Sequence, residues 1–292
     1  MVRRSSSRQP EMTWTSAAAR RLRAFAGKAS TIEEAVREIA CRFLDDIECP
    51  PTDLDALCSR LNVTKFVEED LPISGGLRRD GTGFKIVYSS QLSRHRKRFT
   101  IAHEMGHAIF EMTGPNPPRA GRELEQLCDM LAAELLLPRH VFVRLCDRRP
   151  KLDSVVELSR LFDVSLVAAA RRCCEFTSMS AFEVDGDVVT WSCGLAPTHR
   201  LQLGMATRDA LRTLVRDEKA RLHGRDAASG NTELVSLLTH AFEGRRVRDT
   251  VLLYENGGWG REWEFEGMPI GNGKRAFFTL RHYRRSDEPT SS

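Results

Sequence analysis

Apolar positions recur at helical spacing in two early stretches. Ile32, Val36, Ile39, Phe43 and Ile47 follow Thr31, and Glu34 three residues on completes a capping box that starts a helix there. Pro50 and Pro51 stop it, and a shorter helix from Thr52 sets Leu54, Leu57 and Leu61 on one face. Residues 63–89 read instead as strands. Gly75-Gly76, Asp80-Gly81 and Gly83 are turn signals, and Phe84 to Tyr88 alternates as a half-buried strand does. Helices are predicted from Thr100 to about Met112 and from about Arg122 to Leu137, with Gly114 to Pro118 as the loop between them. Ser154 with Glu157, and then Ser165, cap two more. Beyond residue 178 the texture changes to strand-like pieces at 181–192, 248–255, 261–266 and 276–283, with helical stretches near 206–222 and 232–243.

These patterns divide the chain into a leader (1–29), a first α+β domain (30–150), a helix pair (151–178), a second α+β domain (179–285) and a tail (286–292). Hydrophobic residues make up 41% and charged residues 29% of the 292, which excludes wholesale disorder, collagen and a coiled-coil rod. The longest apolar run, Met130 to Leu137, is broken by Glu134 and is too short to span a bilayer. The eight cysteines form no CxxC pair, so a reducing cytoplasm is expected, and no secretory leader is read at the N-terminus. The net charge of +4 is local. Arg3, Arg4, Arg8, Arg20, Arg21, Arg23 and Lys28 face Glu11 alone in the first 30 residues, so the rest of the chain is slightly acidic. That arm is expected to be a solvated, poorly ordered terminus, with nucleic-acid contact the alternative.

The strongest chemical signal is His103-Glu104-Met105-Gly106-His107. Two histidines four apart on a helix lie about 40° apart around its axis, so both rings can ligate one ion. Glu104 then stands beside them, where a general base is needed. A catalytic zinc takes three protein ligands and leaves one position open. Glu125 on the following helix is the favoured third ligand, because Asp129 lies one turn on and can orient a ligand histidine through a hydrogen bond. Glu123 competes for the role, but it lies about 160° from Glu125, so both cannot face the metal. A dication with two neutral imidazoles and one carboxylate keeps a charge of about +1, which acidifies water toward neutrality. Mn2+ or Fe2+ would also suit these donors.

Residues 50–175 resemble the ImmA/IrrE family of metallo-endopeptidases in three stretches taken in order: Arg98 to His107, Glu125 to Pro138, and Leu158 to Ser165. Cys128 and Asp129 depart from its commonest residues. The resemblance implies a zincin-like domain with a small β-sheet and an HExxH helix, followed by helix-turn-helix-like helices. It implies zinc on His103, His107 and Glu125, and Glu104 as base. It also implies helix-turn-helix repressors as substrates, releasing stress or mobile-element genes, and a GAF-like sensor fold for residues 180–285.

Lesser candidates remain. The segment Gly75 to Arg79 and the strand 84–88 are expected either to pair with an extended substrate or to serve as a structural hairpin. Tyr88 and His140 are candidate donors to a tetrahedral intermediate. Cys128 is a candidate metal cap, with a small buried thiol as the default, and Cys173-Cys174 is a candidate redox pair. The basic run around His95 (Arg94, Arg96, Lys97, Arg98) is read as a solvated connection. The helix Leu166 to Arg172 is too apolar to read base edges. Rival readings are a DNA-binding regulator with a structural metal, and a partner-binding module that does not cleave.

Overall fold

A computed structural model describes residues 14–185, 188–195, 203, 206, 232–254, 260–270 and 275–282. It is a mixed α and β chain of two compact units, Met1–Cys146 with Glu157–Ala169, and Asp147–Val156 with Ala170–Ser292.

In the first unit Thr31 caps α2 (Ile32–Leu44) through the expected box: its hydroxyl accepts from the Glu34 N–H, and the Glu34 carboxylate accepts from the Thr31 N–H. The leader departs from expectation. Residues 1–13 lie outside the described residues, but Ala17–Ala26 form a helix, α1, capped by the Ser16 hydroxyl and burying Ala18, Ala19, Leu22 and Ala26. Arg20 and Arg23 are exposed and Arg21 is partly buried, so the basic composition masked an amphipathic helix. After α3 (Leu54–Arg60) come β1 (Val63–Glu69), β2 (Gly75–Asp80) and β3 (Gly83–Ser89). They form a sheet of order β1-β3-β2, parallel between β1 and β3 and antiparallel between β3 and β2. The expected strand 84–88 is therefore the sheet's centre, and of the two segments expected to meet substrate only β2 lies at an edge, β1 being the other edge strand.

Two long helices follow, α4 (Arg94–Met112) and α5 (Arg122–Leu136), then α6 (Arg139–Leu145). Ile101, Ala102, Met105, Ala108 and Ile109 on α4, with Leu124, Leu127, Leu131 and Leu135 on α5, are buried. Each such leucine contributes about 1.5–3 kcal/mol on leaving water. Helix α4 starts six residues before the expected Thr100, so Arg94 to Arg98 are its first turn and not a connection. Cations are disfavoured at the positive end of a helix dipole by roughly 0.3–1 kcal/mol each. Acids from elsewhere offset this. Asp163 accepts from Arg94 (2.9 Å) and lies 3.3 Å from Arg98, and Glu68 accepts from Lys97 (2.9 Å).

Asp163, at φ 52°, sits in the turn between α7 (Leu152–Leu161) and α8 (Leu166–Phe176). Ser165 caps α8 by accepting from the Ala168 N–H. The expected Ser154 cap is not used: α7 begins at Leu152, whose N–H reaches the Glu266 carboxylate, and Ser154 bonds Asp147.

The second unit holds a five-stranded antiparallel sheet of order β5-β4-β8-β7-β6: β4 (Ser180–Asp185), β5 (Val188–Cys193), β6 (Val247–Tyr254), β7 (Gly260–Pro269) and β8 (Arg275–His282). Helix α9 (Thr232–Phe242) packs against it, and Phe182, Phe265, Phe278, Leu234 and Leu238 form the core. The expected helix at 206–222 lies outside the described residues except for Ala206, as does the tail at 286–292. Among the described residues no helix is long and apolar enough to cross a membrane.

Candidate metal centre

The HExxH residues occupy the middle of α4. Both histidine rings lie on its α5-facing side with centroids 5.1 Å apart. Nε2 of His103 lies 3.2 Å from one oxygen of Glu125, and Nε2 of His107 lies 3.6 Å from the other. One donor atom from each of the three falls within 4.8 Å of the others. Nδ1 of His103 sits 2.8 Å from Asp129, which fixes the ring so that Nε2 faces the cluster. Helix spacing explains the pairing: Glu125 and Asp129 are one turn apart on α5, so each meets one nitrogen of the same imidazole.

Burial disfavours the charged form of His103, but the Asp129 hydrogen bond and the nearby carboxylates outweigh it and raise its pKa above the ordinary histidine value. Burial and the neighbouring His103 push His107 the other way, against the pull of Glu125. Two imidazoles and one carboxylate with an open side match the ligand chemistry of catalytic zinc, so the residues present fit a divalent ion.

Glu104 is 8% exposed and accepts a hydrogen bond from the Leu77 N–H. Burial raises its carboxyl above the usual range, and Glu125 adds to this while His103 opposes it. The donor belongs to β2. In an antiparallel pair the N–H groups point alternately toward the partner and away from it. Leu77 directs its N–H away from β3, toward α4. Gly75 makes that approach tight, because a Cβ there would lie 2.5 Å from Thr100 and 3.7 Å from Glu104.

Glu123 is not at this cluster. Its carboxylate accepts from the Ser16 N–H at 3.1 Å and closes the start of α1. Tyr88 hydrogen-bonds Glu68 and carries Lys97 over its ring, so the phenol is engaged on β1 and the first turn of α4. His140 lies with Nδ1 3.6 Å from the Cys41 thiol, on a groove lined by α2 and α6 residues. Neither Tyr88 nor His140 joins the imidazoles. Cys128 is fully buried, and desolvation with Glu125 nearby drives its thiol strongly upward, so it serves as packing rather than as a metal cap. What it packs against was not visible beforehand. A Cβ on Gly106 would sit 3.0 Å from the Cys128 Cα, so this glycine sets the α4–α5 spacing. The one signal was its place inside the motif.

A helix-borne imidazole pair and a carboxylate from the next helix make a donor set that could hold a metal ion, with a buried acid next in the chain to His103. Residues 58–173 match the model of the IrrE N-terminal-like domain, Peptidase M78, so this segment is similar to the ImmA/IrrE metallopeptidases. The radiation response metalloprotease IrrE of Deinococcus radiodurans is 33% identical over 94 residues, covering 29% of this chain and 29% of that protein. Its namesake in Deinococcus deserti is 34% identical over 103 residues, covering 32% and 37%. The chain thus spans about a third of the length of these relatives. A solved Mycobacterium tuberculosis transcriptional regulator superposes over 90% of this chain and 78% of its own, with 13% identity and a TM-score of 0.46.

Proposed function

We propose that the chain is a zinc-dependent, zincin-like endopeptidase of the cytoplasm that hydrolyses a peptide bond in a helix-turn-helix repressor, so releasing stress-response or mobile-element genes. The observation that carries the reading is the convergence of His103, His107 and Glu125 within 4.8 Å beside a buried acid, Glu104. A structural site would have no use for that acid.

His103, His107 and Glu125 hold the ion, which when bound supplies Lewis acidity toward a water and toward the scissile carbonyl. Asp129 orients His103. Glu104 takes the proton of the attacking water and delivers it to the leaving nitrogen; its raised pKa suits both halves of that transfer. The outer edge of β2 pairs with the extended substrate backbone, beside Glu104. The α7–α8 pair is helix-turn-helix-like in outline only, because its turn is held by Arg94 and Arg98. Residues 179–285 form a regulatory domain.

Purified, zinc-loaded protein is to be incubated with the helix-turn-helix repressor encoded beside it, and the products weighed by mass spectrometry. Two fragments summing to the repressor plus water are expected. Tight repressor binding without scission would favour a non-cleaving module. Salt-dependent duplex binding that survives chelation would favour a DNA-binding regulator.

A further inference from the structure

The first unit carries a second pair of metal-ligating side chains that takes no part in the imidazole cluster. Cys41 lies on α2 and His140 in the first turn of α6, 99 residues further along the chain, yet the Cys41 sulfur stands 3.6 Å from Nδ1 of His140. Both side chains are exposed. They open onto a groove of about 390 Å³ whose wall also includes Asp45, Asp46, Cys49 and Arg144. None of His103, His107 and Glu125 lines it.

We propose that Cys41 and His140 bind a second divalent ion of the zinc type, with the thiolate sulfur and Nδ1 as its two protein donors. The separation is the first reason. Zinc holds sulfur at about 2.3 Å and imidazole nitrogen at about 2.0–2.1 Å, so two such donors on one tetrahedral ion stand about 3.5 Å apart. The pair is already at that distance, and the proton it shares holds the place of the ion. Loading releases that proton to solvent. The donor types are the second reason. Thiolate and imidazole together select zinc-like ions over magnesium or calcium, which take oxygen.

The surroundings favour a cation over a bare thiolate. Burial, then Glu134 and Glu38, push the Cys41 thiol above its ordinary value, against Arg37. The sulfur therefore keeps its proton until a cation replaces it, and the same acids attract that cation. Asp45 and Asp46 add negative charge to the groove wall, where Arg144 opposes them. Among the described residues no third histidine, cysteine or acid places a donor within 4.8 Å of both atoms. Solvent completes the shell, so the ion is weakly held and exchangeable. When bound it clips α2 to α6 across 99 residues of chain and stabilises the fold by mass action. This inference stands apart from the peptidase reading and survives its failure.

The test uses the full chain, stripped of metal and kept reduced with a phosphine, titrated with cobalt(II) chloride. Cobalt(II) bound to sulfur shows an intense near-ultraviolet charge-transfer band that nitrogen and oxygen donors do not give, so the band reports this site and not the imidazole cluster. The band should saturate at one ion per chain and persist in His103→Ala. It should vanish in Cys41→Ser. His140→Asn leaves the thiol but should weaken cobalt binding at least about tenfold, the least that even a supporting group's loss costs. Zinc should bleach the band by competition. Both side chains are exposed, so neither substitution disturbs the core, and circular dichroism checks that each variant is folded. Absence of the band in the wild-type chain at millimolar cobalt overturns the proposal. A band that survives Cys41→Ser also overturns it, because the sulfur is then another cysteine's, and so does an affinity unchanged in His140→Asn.

Discussion

The two units treat buried charge in opposite ways. In the C-terminal sheet, buried acids meet arginines. Glu264 accepts from Arg281 and Arg248, each at 2.5 Å, and Glu183 pairs with Arg275. The acids of such networks are satisfied and have nothing left to offer a ligand. On α4 the acid Glu104 is buried with no arginine among its partners, lies near His103 and has its carboxyl raised, while the acid of Glu125 sits between the rings of His103 and His107. A fold has no stability reason to leave charge so poorly compensated. The difference teaches that perturbed groups whose partners are incomplete mark a site, whereas buried groups with complete partners mark a core.

The sharpest way to break this comparison is to remove the acid without removing the donors. Glu104→Gln should retain bound zinc, read by elemental analysis, and lose about 10²–10⁴-fold in peptide cleavage, the range for a general base. Ordinary cleavage by this variant would put Glu104 among inert core acids. His103→Ala and Glu125→Ala should each lower the zinc content of the purified protein. Asp129→Ala leaves all three donors in place but frees the His103 ring, so metal affinity should fall about 10–100-fold in a competition titration with a chromogenic chelator. An unchanged affinity would make the 2.8 Å contact a surface pairing only.

How much of this was legible in the sequence follows from range. The HExxH spacing and the Glu125–Asp129 turn are local helix geometry, so periodicity alone predicts which side chains share a face, and Thr31 with Glu34 signals its own helix start. The true start of α4 was hidden because Arg94 to Arg98 are unfavourable there until Asp163 arrives from far along the chain. Helix α1 was hidden by charge, since three arginines are interleaved with the four side chains it buries, three of which are alanines. Tyr88 and His140 are the residue types that donate to an oxyanion, and only the tertiary fold shows them turned to Glu68 and Cys41. Gly106 was marked only by its place inside the motif, and the Leu77 N–H could not be read at all. One acts through a missing side chain, and the other is a backbone group whose direction depends on strand order.

Gly106 sharpens the comparison from the packing side. Its helix meets α5 across a contact where a methyl group would lie 3.0 Å from Cα and 3.1 Å from Cβ of Cys128. Gly106→Ala must therefore separate the helices or strain them, at a cost of about 1–3 kcal/mol typical of overpacking. The expected outcome is a lower thermal midpoint together with weaker zinc binding, because Glu125 moves with α5 while both histidines stay on α4. A lower midpoint with unchanged zinc affinity would show that helix spacing and donor convergence are separable.

The smallest effect concerns the self-satisfied half of the comparison. Burial alone would raise the Glu264 carboxyl, but hydrogen bonds from Arg281 and Arg248 win and hold it below the usual range. A group whose folded pKa is depressed binds its proton more weakly in the fold than in the unfolded chain. Its contribution is thus complete above the unfolded carboxylate value, about 4.3, and is lost as pH falls through the lower folded value. Urea midpoints of the second unit, followed by tryptophan fluorescence because Trp263 lies in its core, should stay flat from pH 7 to 5 and then decline. Glu264→Gln should be less stable at neutral pH, since it leaves arginine charge uncompensated, and its midpoints should decline less on acidification. Parallel declines in the two chains would mean that the loss arises from other carboxylates and that the Glu264 network is held by packing, with its charges contributing little.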